Sequence, residues 1–244
     1  MDPTSHDLQG LPIHAVRHEE ATQTLLQWAT TSGPAKTVVT INPEIFVQAS
    51  TDVALRQAVH EAGRVTVDGI GVYWAAKLRG IPLPERVLGI ELIQSLMAAG
   101  GANLRVYFYG AAPGVAEKAA QICQQQYGIQ VAGIRDGYSQ ATPEHILQDI
   151  QNCQANLVLT ALGCPLQETF NEWARQHLQN CVLIGVGGSL DVIAGHAPRA
   201  PKIYSTLGLE FLWRIVKLRR WKRSVRLLQF VGFVLKNGRV SPVP

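Results

Sequence analysis

The chain has 244 residues, 47% hydrophobic and 16% charged, enough to bury a substantial core in one α/β body with an appendage but not clearly two domains. Its four cysteines, Cys123, Cys153, Cys164 and Cys181, form no C-x-x-C pair and show no short regular spacing, so neither a disulfide framework nor a zinc knuckle is suggested and a reducing, cytosolic compartment fits best. The formal charge of +4 hides an asymmetry: ten Lys/Arg and a single acid, Glu210, fall from Lys202 onward, which directs an anionic partner to the C-terminal segment and leaves an acidic body.

In chain order, residues 1–10 are polar, lack the basic and apolar regions of a secretory signal, and read as a flexible N-terminus. Residues 11–201 then alternate short β-branched runs with stretches of helical period. The runs Lys36–Ile41, Arg64–Val67, Arg105–Tyr109, Leu157–Leu162 and Val182–Val186 predict strands. Helices are predicted at Glu19–Thr31, Pro43–Ala62, Ile90–Ala99, Pro113–Gln126, Pro143–Asn152 and Pro165–Gln179, several opened by proline at the favoured first-turn position. This order predicts a single Rossmann-like domain, a mainly parallel sheet flanked by helices, with ligands at the carboxyl ends of the strands.

Residues 202–244 read as a basic, amphipathic helical appendage. Leu207–Leu235 interleaves large apolar residues with arginines and sets Trp213 and Trp221 at the polar boundary. That pattern suits an anionic membrane surface; it equally suits a terminal helix laying its apolar face on the body. No apolar run reaches the roughly eighteen residues of a spanning helix, so any membrane contact is expected to be peripheral.

The residues that follow each strand are the candidates for chemistry. Thr40 and Asn42 stand at a strand end where they can hydrogen-bond a sugar or nucleotide, although Asn42 also suits the N-cap of the helix opened by Pro43. Asp68, followed by Gly69-Ile70-Gly71, is placed as a general base, a ribose ligand or another N-cap. The turns Gly110–Gly114 and Gly185–Ser189 can aim backbone N–H groups at phosphate, and Asp191, three residues past Gly188, either binds or supports the second turn. Neither is a G-x-G-x-x-G or a P-loop. Gln167 and Glu168 fall in a helical first turn, where a solvated glutamate is expected. His14 and His18 lack the glutamate of an H-E-x-x-H site, and no G-x-S-x-G elbow occurs, so neither a zinc site nor an ordinary hydrolase is expected.

Seven blocks, TINPEIFVQAS, VDGIGVYWAAKLRG, ERVLGIELIQSLM, YFYGAAPGVAEKAA, LGCPLQETF, GVGGSLDVIAG and RAPKIYSTLGLEFLWRIVKLRR, span most of the chain. Their content and order resemble the WecG/TagA/CpsF family of bacterial glycosyltransferases. The resemblance implies an inverting transferase that takes N-acetylmannosamine or its uronic acid from a UDP-sugar to an undecaprenyl-diphosphate-linked N-acetylglucosamine in cell-envelope polysaccharide synthesis. It also implies a cytoplasmic enzyme peripheral to the inner face of the membrane, with no cofactor and no divalent metal. By similarity Asp68 is the general base, Thr40 and Asn42 line the same pocket, Gln167 is a sugar or acceptor contact, and Arg86 lies near the donor diphosphate.

Glu210 and Arg214 match the family's G-L-E-W-L-x-R block, and Arg219, Arg220 and Arg223 fall where its arginines hold diphosphate. Guanidinium groups suit that task because their fork matches phosphate oxygens and offsets the charge of a departing diphosphate. The chain departs from the family at Phe211, where tryptophan is usual, and at Lys217-Leu218, where proline often precedes the arginines. Two other readings follow from the residues: a non-catalytic nucleotide-sugar-binding protein of an envelope assembly complex, and nucleic-acid binding through the basic tail. The acidic body and the lack of a nucleic-acid motif oppose the latter. A symmetric homo-oligomer is the default expectation for assembly.

Overall fold

The computed structural model describes residues 4–198 and 221–236. An antiparallel hairpin opens the chain, β1 (Ser5–Leu8) pairing with β2 (Leu11–His14). Leu8, Leu11 and Ile13 are fully buried, so the end of the segment expected as a flexible N-terminus is anchored by apolar burial. Nδ1 of His14 accepts a hydrogen bond from the Val65 amide at 3.0 Å, which lets the hairpin cover a sheet edge that would otherwise expose backbone donors.

The body is one parallel sheet in the order β4 (Arg64–Val67), β3 (Lys36–Ile41), β8 (Val182–Gly185), β7 (Leu157–Ala161), β5 (Arg105–Gly110), β6 (Gln130–Arg135). Its central strands are aliphatic on both faces because crossover helices cover both faces. Val38, Phe108, Leu159 and Ile184 point to one side, where they meet α1 (His18–Thr30), α5 (Gly89–Gly100), α6 (Val115–Tyr127) and α9 (Ser189–Ile193). Tyr107, Val158 and Leu183 point to the other, against α7 (Pro143–Asn152) and α8 (Leu166–Arg175). On that same side Val39 and Val65 join a second cluster with α2 (Pro43–Ala49), α3 (Val53–His60) and α4 (Ile70–Leu78).

Beyond the unexpected β1–β2 hairpin and the short helix α9, the sequence expectations need three adjustments. The helix expected over Pro43–Ala62 is two helices, α2 and α3, broken at residues 50–52. The break is held chemically: Asp52 Oδ1 caps α3 by accepting from the Leu55 amide at 3.0 Å, and the buried Arg56 donates from Nε to the Ala49 carbonyl at 3.0 Å, satisfying the end of α2. The half-buried edge strand β6 and helix α4 were not expected.

A last described helix, α10 (Trp221–Leu235), returns to the body. Phe230 is 3% exposed and meets Phe46 edge-on at 5.3 Å between ring centroids, while Phe233 meets the same ring at 5.7 Å. Arg226 forms an ion pair with Glu44 at the start of α2. This helix thus sets Phe230 and Phe233 against α2, and its Arg226 is paired rather than merely solvated.

Candidate functional site

The chain order of the strands creates a crevice. From β3 the crossover goes outward to β4 at one edge, from β5 it goes outward to β6 at the other, and β7 and β8 fill the centre. Connections leaving in opposite directions open a gap at the strand ends. A cavity of about 240 Å³ lies there, walled by the turns after β3, β4, β7 and β8.

Thr40 and Asn42 bring the end of β3 to this wall, and Asp68 brings the end of β4. The two turns are tied together, because the amides of Asp68 and Gly69 both donate to the Ile41 carbonyl, at 3.1 and 3.2 Å. Asn42 Oδ1 accepts from the Glu44 and Ile45 amides at 2.9 and 3.1 Å, so this residue is an N-cap and a cavity residue at once. The N-cap of α4 is Gly69, and Asp68 stands one residue before it. Arg86 reaches the back of this turn, with Nη1 3.5 Å from the Asp68 carbonyl oxygen. Glu44, the second carboxylate in the wall, faces Arg226.

The opposite wall is built by the turns after β7 and β8, held by Gln167. Its Oε1 accepts from the Gly163 amide at 3.2 Å and the Gly187 amide at 3.1 Å, and its Nε2 donates to Glu168 Oε1 at 2.8 Å. A β-carbon at residue 185 would fall 2.6 Å from that Nε2, which is why glycine ends β8. The carboxamide of Gln167 therefore clamps two turns together. Glu168 corrects the expectation of a solvated side chain. It is 4% exposed, and burial, reinforced by the Glu44 charge, pushes its carboxyl above the usual carboxylate range. The neighbouring Cys164 thiol, which lines the cavity and accepts from Gln48 Nε2 at 3.3 Å, is likewise pushed up by burial.

Against this geometry the comparisons with known proteins are decisive. Residues 6–242 match the sequence profile of the glycosyl transferase WecG/TagA/CpsF family. The chain belongs to this family. It is 36% identical over 210 residues, 85% of this chain and 81% of the relative, to a Bacillus spizizenii protein named N-acetylglucosaminyldiphosphoundecaprenol N-acetyl-beta-D-mannosaminyltransferase.

As a WecG/TagA/CpsF glycosyltransferase, the protein gathers Thr40, Asn42, Asp68, Gln167 and Gly188 around one cavity. Arg86 sits beside it through Asp68. Asp191 lies on α9 behind Gly188, and its carbonyl closes the following turn by accepting from the amides of His196 and Ala197, both at 2.9 Å. Gly110 is not brought to the cavity. Its φ of +115° and the 2.5 Å that would separate a β-carbon from the Ala161 carbonyl carbon assign this glycine to close packing between β5 and β7. Arg214, Arg219 and Arg220 lie outside the described residues, and Arg223 falls on α10.

Sequence reasoning missed Glu44, Cys164 and Arg226, and placed Glu168 in solvent. A first-turn glutamate directly after Asn42-Pro43 was a local signal for Glu44; nothing local marked the others. Among the described residues no three His, Cys, Asp or Glu side chains gather as a metal site, and no helix is long and apolar enough to cross a membrane.

Proposed function

We propose that this glycosyltransferase moves N-acetylmannosamine from a UDP-sugar to an N-acetylglucosaminyl-diphosphate-polyprenol, with inversion at the anomeric carbon and Asp68 as general base. The observation that carries the reading is the position of Asp68 at the end of β4, in a cavity whose facing wall is made of glycine turns. The other wall carboxylate, Glu44, is committed to Arg226. Asp68 takes the proton of the attacking sugar hydroxyl while the new glycosidic bond forms and the bond from the donor sugar to UDP breaks. Thr40 and Asn42 orient the sugars, and the glycine turns leave space for backbone close to a phosphate.

The leaving diphosphate gathers negative charge, and Arg86 with the arginines of the C-terminal segment, Arg214, Arg219, Arg220 and Arg223 by family resemblance, offsets it. Basic side chains then do what a divalent cation does elsewhere. The sugar identity and the polyprenyl acceptor follow the named activity of the Bacillus spizizenii relative. The ten-to-one excess of basic over acidic residues after residue 201 supports peripheral contact with an anionic leaflet at the cytoplasmic face.

The test is UDP release from a panel of UDP-sugars in EDTA, with and without a short-chain polyprenyl-diphosphate N-acetylglucosamine. Acceptor-dependent release from UDP-N-acetylmannosamine is expected. Release from a different donor would replace the sugar, recovery only on adding a divalent ion would replace the role given to the arginines, and no release at all would sink the transferase reading of the site.

A further inference from the structure

Two helices leave the cavity side by side, and each carries an exposed apolar stripe. Helix α4 starts two residues after Asp68, and its N-cap Gly69 lies so close to the α2 entry that a β-carbon there would come within 2.5 Å of Pro43. Helix α10 reaches the same rim through the pair Arg226–Glu44. From the rim both run the same way. Gly71 lies beside the Phe230 ring, where a β-carbon would be 3.2 Å from it, and further along Arg79 Nη2 donates to the Val234 carbonyl at 3.1 Å. Their mutual contacts thus advance together from the catalytic end toward the far end.

The apolar side chains that this pair leaves in solvent are unusual for a surface. On α4, Trp74 is 60% and Leu78 76% exposed, one turn apart and flanking the face that meets Phe230. On α10, Leu228, Val231 and Leu235 are 72%, 46% and 75% exposed at helical spacing, on the side opposite the buried Phe230. Apolar groups concentrated in this way mark a binding surface rather than chance exposure. The nine residues of α4 alone extend about 13 Å from the cavity.

We infer that the stripe along α4 and α10 is a track for the proximal isoprene units of the lipid-linked acceptor. The inference rests on the acceptor assigned under the proposed function. Such a molecule joins a sugar and diphosphate, which need the polar cavity and cations, to a hydrocarbon chain that must leave the cavity over apolar surface. The molecule offers that sequence of environments in one direction. Asp68 and Thr40 come first, Arg226 stands at the rim, and Trp74, Leu78, Leu228, Val231 and Leu235 follow. One cation at the rim, paired with Glu44, and apolar side chains beyond it follow the order of charge and polarity along the acceptor.

The experiment compares kcat/KM for two N-acetylglucosaminyl-diphosphate acceptors in detergent micelles, one with a water-soluble chain of one or two isoprene units and one with a long chain. The native chain and the double variants Trp74→Ser/Leu78→Ser and Leu228→Ser/Val231→Ser are measured, with circular dichroism as the folding control. Each double variant is expected to lose about tenfold on the long-chain acceptor and little on the short one, since two exposed side chains lose their hydrocarbon contact. An equal loss on both acceptors, or no loss on either, overturns the track. A loss that appears with anionic vesicles but not in micelles assigns the stripe to the bilayer, and a changed sedimentation coefficient assigns it to a second copy of the chain; both reject the proposal. Failure of the native chain to use either acceptor removes the acceptor reading itself, and the track with it.

Discussion

The turn after β5 and the turn after β7 are neighbours at the carboxyl edge of the same sheet and look alike in sequence, each a glycine-bearing step into a helix. Only the second enters the cavity. The first, Gly110–Gly114, is shaped by its contact with Ala161: the Ala111 amide donates to the Ala161 carbonyl at 2.9 Å, and Gly110 leaves room for that approach. The second, Gly163–Gln167, supplies the clamp that joins it to the β8 turn. The difference teaches that a glycine turn acquires a functional setting from where it sits relative to the reversal of crossovers, not from its composition.

Four substitutions sharpen or break that contrast. Asp68→Asn, across the cavity from the clamp, should lower kcat by roughly 10²- to 10⁴-fold, the usual worth of a general base, with the melting temperature held and UDP binding by calorimetry largely unchanged. Full turnover in that variant would remove Asp68 from the role. Gly110→Ala should cost roughly 3 kcal/mol in denaturant unfolding, from the left-handed φ and the overlap with Ala161, while the folded fraction keeps its kcat/KM. A selective loss of donor affinity in Gly110→Ala would erase the distinction between the two turns.

Gln167→Ala leaves the Gly163 and Gly187 amides without their acceptor, which should cost about 1–3 kcal/mol. Unlike Gly110→Ala, it should also lower kcat/KM, because the freed turns line the site. A variant that is destabilised yet fully active would show that the clamp serves the fold alone.

The smallest effect is expected at Glu168 and is a matter of pH. Burial raises its carboxyl pKa in the folded chain. At low pH the group is protonated in both states; as pH rises past the ordinary carboxylate range, the unfolded chain releases its proton first, so the folded chain binds more protons and stability falls until the folded group ionises. Glu44 and Cys164 face it, and Glu44 adds to the rise. Glu168→Gln should remove this downward slope from a plot of melting temperature against pH. An unchanged slope would mean that Glu168 is already ionised in the folded protein.

Much of the fold was legible for a simple reason. Strands β3, β7 and β8 are buried on both faces, so Lys36–Ile41, Leu157–Leu162 and Val182–Val186 announce themselves as runs rich in β-branched and aliphatic residues. β6 did not, because QVAGIR is a half-buried edge with Gly133 packed under the Tyr107 ring. The break between α2 and α3 depends on Arg56 folding back to Ala49, a contact within one stretch of helical period that leaves no trace in periodicity. Asn42 shows that two readings of a residue need not compete, since capping α2 is what holds it in the cavity wall.

By itself, then, the sequence determined the parallel α/β body, the strand-end positions of Thr40, Asn42 and Asp68, the helical first-turn position of Gln167, and the concentration of basic charge after residue 201, because each is written in local pattern or in simple counts. Tertiary structure decided which of the similar turns share a cavity, that Glu168 is buried and Gln167 engaged, and that Arg226 of α10 meets Glu44 from 182 positions away. Those outcomes depend on which strands lie side by side and which helix lies across them. Residues distant in sequence acquire each other as environment only when the sheet is assembled.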